Sequence, residues 1–145
     1  MSELSEQQVI RLAMSPLYVI YAVASAQFAP EKITRRQIIK AVEYGLTCEQ
    51  SLGERIFELL KMNLHGFYAR FPREFPESFV ETCLQELATV RQLLGEAGLP
   101  PEMTADFKCS LRRLARFVAA GSIFGPDVPA AAMEIRAEKI GAILE

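Results

Sequence analysis

The sequence predicts an all-α fold of about seven helices, forming one bundle-like domain over residues 1–145 with two similar helical hairpins near its ends. Three observations carry this expectation. Apolar residues recur at steps of three and four, as at Leu52, Ile56, Leu59, Leu60, Leu64, Phe67 and Phe71, which is the period of a helix that buries one stripe. No segment shows the apolar–polar alternation between hairpin turns that marks a strand. The third is an internal repeat: Leu17 to Leu46 turns at Phe28-Ala29-Pro30-Glu31, and Leu114 to Leu144 turns at Phe124-Gly125-Pro126-Asp127. Aligning the turns pairs Tyr21 with Phe117 and Ala24 with Ala120, and one deleted residue then sets Ile33 on Val128 and Ile38 on Met133.

Each element has local signals. Ser5 and Gln8 form a capping-box pattern that opens a short helix to about Met14. Ser15-Pro16 then restarts the chain, since Ser caps well and Pro suits the first helical position. From Leu17 to Phe28 the helix is apolar nearly all round, which places it in the middle of the core. Pro30 ends it. Thr34 and Gln37 make a second capping box, and Gly45 stops the helix that carries Ile38, Ile39 and Val42 inward. Thr47 to Gln50, or Ser51 to Glu54, caps a long helix running to Phe71, with Gly66 weakening its last turn. Ser78 with Glu81 caps the next helix, which turns Val80, Cys83, Leu84, Leu87, Val90 and Leu94 inward. Gly95 and Gly98 close that helix, and Pro100-Pro101 forbid its continuation. A helix from about Thr104 to Ala120 buries Phe107, Leu111, Leu114, Phe117 and Val118. The last, from Pro129, buries Met133, Ala137, Ile140 and Leu144.

Half the residues are apolar and 23% are charged, so the chain can bury a core without staples and is no disordered tail. The net charge of −2 argues against a general polyanion binder and leaves local patches to consider. Cys48, Cys83 and Cys109 are an odd number without a Cys-x-x-Cys pair, which fits buried thiols in a reducing compartment, the cytoplasm. The N-terminal stretch has no signal-peptide pattern, and the apolar run from Leu17 to Ala24 is far short of the ~20 residues that span a bilayer. No membrane insertion is expected.

Chemistry is thinly marked. The single histidine, His65, lies near a predicted helix end, where a packed or solvated imidazole is the ordinary role. Spacing leaves open a Cys–His dyad without favouring one. Glu54, Glu58 and His65 share a helix side, yet no Glu-x-x-His pair for a di-iron bundle exists. The chain has globin size, and Phe67-Tyr-Ala-Arg-Phe-Pro72 resembles globin-like sensor domains, but no proximal histidine follows His65. The implied relative would be a haem-free sensor holding a ligand between helices. No cofactor or metal is implied, and the chain reads as a non-enzyme.

Two kinds of surface feature stand out. Lys32, Arg36 and Lys40 form one basic stripe at four-residue steps, and Lys108, Arg112 and Arg116 form another. Like charges so spaced cost a helix about 0.2–0.5 kcal/mol per pair, a repulsion that acidic neighbours such as Glu31, Glu43 and Asp106, simple solvation, an acidic partner surface or a nucleic-acid backbone can offset. The negative whole-chain charge weighs against nucleic acid. Phe67, Tyr68, Phe71, Phe75 and Phe79, interleaved with Arg70 and Arg73, form either an anchor for a partner or a corner of the core.

The first hairpin, with Ala22-Val-Ala-Ser-Ala26, a short loop, Ile33-Thr34-x-x-Gln37 and a helix stopped by Gly45, resembles the repeat of the tellurite-resistance B-like (TerB-like) proteins. The copy at Leu114 to Leu144 occupies the place of their second repeat. The family's acidic, metal-associated loop is altered: its Asp-Gly is Ala26-Gln27 here, its loop glutamate is Gln37, and the second copy has Gly121-Ser122. The resemblance therefore implies the fold without the metal site, in a bacterial, cytoplasmic protein linked to stress-response assemblies. The expectation is a helical module that binds another protein or a second copy of itself as a homodimer, through the aromatic link, a basic stripe or both.

Overall fold

A computed structural model describes residues 4–47, 51–71, 74–121, 123–124 and 130–145, with only the backbone described at Thr47 and Ser51. Within them lie seven α-helices, one 3₁₀ turn and no strand. The helices are α1 (Glu6–Ala24), α2 (Arg35–Thr47), α3 (Ser51–Met62), α4 (Leu64–Tyr68), α5 (Phe79–Glu96), α6 (Pro101–Ala119) and α7 (Ala131–Leu144), with the 3₁₀ turn at Pro30–Lys32. The all-α class is as the periodicity predicts, but the helices are divided differently in two places.

The expected break at Ser15-Pro16 is absent, and α1 runs through it. Pro16 has no N–H for the Leu12 carbonyl, and the Ser15 hydroxyl donates to that oxygen at 2.6 Å instead. The freed acceptor is satisfied from the side chain, so the buried helix continues. The long helix expected to reach Phe71 is instead split at Asn63, whose backbone leaves helical geometry (φ −123°, ψ 28°). Its amide side chain donates to the Leu59 carbonyl at 3.1 Å and closes α3.

Both N-terminal capping boxes form: Ser5 and Gln8 exchange bonds of 2.9 and 3.2 Å, and Thr34 and Gln37 do the same at 2.9 and 3.2 Å. The box expected at Ser78 does not, because Ser78 lies at φ −81°, ψ 6° rather than in the extended conformation a cap needs. The cap expected within 47–51 falls outside the described residues and side chains. Gly45 does not stop α2, which runs on to Thr47. Its role is packing: a Cβ there would run into the buried Phe57 ring, so glycine lets α2 and α3 meet closely. Gly98, at φ 70°, turns the chain after α5, whereas Gly95 stays within the helix. Pro101 begins α6 three residues earlier than expected, in the first-turn position where its missing N–H costs nothing. The start expected at Pro129 lies outside the described residues, and α7 begins at Ala131.

The apolar Leu17–Ala24 stretch is the centre of the molecule. Leu17, Val19, Ile20, Tyr21, Ala22, Val23 and Ala24 are all at 0% exposure, and α1 packs against α2, α3, α4, α5, α6 and α7. The two hairpins with similar sequences, α1–α2 and α6–α7, pack on one another through α1 with α6 and α7, and α2 with α6. The Phe28 and Phe124 rings lie with centroids 4.6 Å apart, while Gly125-Pro126-Asp127 and Val128 of the second copy fall outside the described residues. Tyr44 of α2 stacks on Phe117 of α6 at 3.9 Å and 6°.

One polar contact also joins the hairpins. At the end of α1 the Ala26 N–H donates to Val23, which leaves the buried Ala22 carbonyl without a helical donor. Arg136 of α7 reaches across and donates to that oxygen at 2.7 Å. A cation at a helix C-terminus is also favoured by the helix dipole. Exposed ion pairs, Arg11–Glu86 at 3.3 Å and Lys61–Glu43 at 3.1 Å, add little by comparison.

Candidate functional site

The second basic stripe lies on the wall of a groove. Arg112 and Arg116 project from α6 at i and i+4, with Ala119 and Ala120 one turn further on, and together they form one wall of a cavity of about 590 Å³. The other wall is α7, through Glu134, Ala137, Glu138, Gly141, Ala142 and Glu145. Small side chains at the helix contact keep the floor low, and longer charged ones stand at the rims. The positive rim belongs to α6 and the negative rim to α7. Among the described residues no ion pair spans the groove. Lys108 and Arg112 continue the basic row into an adjoining hollow of about 460 Å³ over Leu94, Leu99 and Pro101, which Glu145 also borders.

The first basic stripe is arranged differently from expectation. Lys32, Arg36 and Lys40 are all exposed, but Lys32 belongs to the 3₁₀ turn, so only Arg36 and Lys40 share a helix face. Their neighbour Arg35 lies over the Tyr68 ring at 5.5 Å and its guanidinium is 3.4 Å from His65 Nδ1. His65 is otherwise exposed on α4, apart from the described cysteines. Of these, Cys109 is half-buried on α6 and Cys83 is buried on α5. Burial, and then the Glu86 carboxylate, push the Cys83 thiol up to about 12, so it stays protonated at neutral pH and is a poor nucleophile. Cys48 lies outside the described residues. No three His, Cys, Asp or Glu side chains converge among the described residues, and the break at Asn63 puts Glu54 and Glu58 on a different helix from His65.

The aromatic link folds back onto α1. Phe67 and Phe79 are buried, while Tyr68, Phe71 and Phe75 are half-buried and packed on the core. Tyr21 is the hub, with its ring 4.9 Å from Phe71, 5.6 Å from Phe75 and 5.6 Å from Phe79. Burial, and then the nearby Tyr68, raise the Tyr21 phenol well above its ordinary value. Arg70 is exposed, and Arg73 lies outside the described residues. At the foot of this cluster a hollow of about 420 Å³ is lined by Ser25, Phe28, Phe75, Phe79 and the loop between α1 and the 3₁₀ turn. The Ser25 hydroxyl there is buried without a hydrogen-bond partner. Ala26 and Gln27 line the same hollow.

Sequence reading therefore found the basic wall of the groove and missed the acidic one. Glu134, Glu138 and Glu145 fall on one side of α7, but acids on a helix flanked by Arg136 and Lys139 read as an ordinary mixed surface. What makes them one row is the position of α6. No protein family matches the chain, and no curated protein or solved structure matches it either. Among the described residues no helix is long and apolar enough to cross a membrane.

Proposed function

We propose that this chain is a non-enzymatic, cytoplasmic protein-interaction module that takes a helix into the α6–α7 groove. The observation that carries this reading is the groove itself, with a small-residue floor, a basic rim and an acidic rim whose charges are unpaired across it. The fitting occupant is an amphipathic helix with a narrow apolar face and an acidic edge for Arg112 and Arg116. The acids of α7 repel a polyanion from the same surface, which favours protein over nucleic acid. The resemblance of the repeat to TerB-like proteins supports a role within an assembly. The buried aromatic link suits a scaffold better than an anchor, although Tyr68 and Arg70 remain reachable from solvent.

The test compares three tagged variants: Ala142→Arg in the groove, Tyr68→Ala at the link, and Arg36→Glu with Lys40→Glu on α2. Interaction with a defined partner should be lost only with Ala142→Arg. Loss with either of the others and retention with Ala142→Arg would move the site elsewhere.

A second reading, a ligand-holding sensor, draws on the unpartnered Ser25 hydroxyl beside Phe75 and Phe79. It calls for a small aromatic molecule with a polar group. Native mass spectrometry of the purified chain checks it, and a spectrum of protein mass alone dismisses it.

A further inference from the structure

Building on the interaction reading above, we infer that the helix the groove accepts is α7 of a second copy of this chain, giving a two-fold homodimer. α7 has apolar residues on two opposite faces. Met133, Ala137, Ile140 and Leu144 face the core, while Ala131, Ala132, Ile135 and Ala142 are exposed, Ile135 at 69%. The outer face exposes Ile135 within a strip of alanines, an apolar surface of the kind that a partner covers. Among the described residues α7 packs chiefly on α1, α5 and α6, which leaves this face open.

The charges specify what would cover it. Going round α7 at 100° per residue, Ala131, Ile135 and Ala142 form the middle of the outer face, and Glu134, Glu138 and Glu145 form one edge of it. That is a narrow apolar strip with an acidic edge, the description of a helix suited to the Arg112–Arg116 rim. The chain thus carries both the groove and a helix that fits it. In a two-fold interface each contact occurs twice, so Arg112 and Arg116 of one copy meet Glu134 and Glu138 of the other, and the reverse. Gly141 and Ala142 allow the two α7 backbones to approach within the ~8–10 Å of close helix packing. Ile135 is then the largest apolar side chain removed from water.

Sedimentation of the full chain over a wide concentration range, at low and at high salt, tests this. A dimer is expected, weaker at high salt. Arg112→Glu with Arg116→Glu should be monomeric, and so should Glu134→Arg with Glu138→Arg. Mixing the two variants should restore a dimer, seen by native mass spectrometry as the heterodimer, because opposite rims then meet once more. All four side chains reach solvent, and circular dichroism on each variant confirms that its helices are intact. A wild-type chain that stays monomeric throughout would overturn the dimer. So would a dimer that both variants leave unchanged. If the wild type is monomeric while Ala142→Arg still abolishes capture of a different protein, the inference is wrong and the interaction reading survives. If Ala142→Arg changes no interaction at all, both fall.

Discussion

The two hairpins that look alike in sequence have opposite surroundings. In α1–α2 the first helix is enclosed from Leu12 to Ala24 by the surrounding helices, so the apolar surface of that stretch is used in the core. In α6–α7 the second helix also has apolar residues on the side away from the core, yet that outer face is open and bordered by charge. One pattern therefore supplies a scaffold at one end of the chain and a candidate docking face at the other. Apolar content by itself does not tell a core helix from an interface helix, and the neighbours decide.

This contrast can be broken by substitution. The largest effect should come from Ile20→Ala at the centre of α1, where a fully enclosed side chain leaves a cavity worth about 2–5 kcal/mol. Chemical denaturation measures it, and a cost below about 1 kcal/mol would mean that α1 is not the centre of the core. Next is the contact between the hairpins. Arg136→Met keeps the aliphatic stem but strands the Ala22 carbonyl, and should cost about 1.5–3 kcal/mol. An unchanged denaturation midpoint would show that water replaces the guanidinium at no cost.

Within α1 itself, Ser15→Ala removes the hydroxyl that donates to Leu12 in place of the N–H Pro16 lacks, and should cost about 1–3 kcal/mol. In a Pro16→Ala background the same substitution should cost much less, because the restored backbone N–H reaches that carbonyl. Equal costs in both backgrounds, read from a double-mutant cycle, would sink this account of the unbroken helix. The smallest effect should be that of Ile135→Ala on the isolated chain, within about 0.5 kcal/mol, since the side chain is 69% exposed. A large loss in dilute solution would mean that α7 already has a cover, and the contrast between the hairpins would disappear.

Much of the fold was legible because it is local. The boxes at Ser5–Gln8 and Thr34–Gln37, the inward residues of α6 and α7, and the central place of Leu17–Ala24 all follow from spacing. The misreadings have physical causes. Ser15-Pro16 looks like a helix start until its hydroxyl is seen to replace a lost bond, and Gly45 looks like a stop until Phe57 is found against it. In the groove only Arg112 and Arg116 were legible, with Lys108 in the adjoining hollow, since like charges at i and i+4 are conspicuous whereas the acids of α7 are not.

By itself the sequence determined the all-α class and most of the inward faces, because hydrophobic period and capping act within a few residues. Only the tertiary structure decided that α1 is enclosed and α7 is not, that Arg136 completes a helix 114 residues away, and that an acidic row faces a basic one. These depend on the relative placement of helices distant in the chain, which no local periodicity encodes.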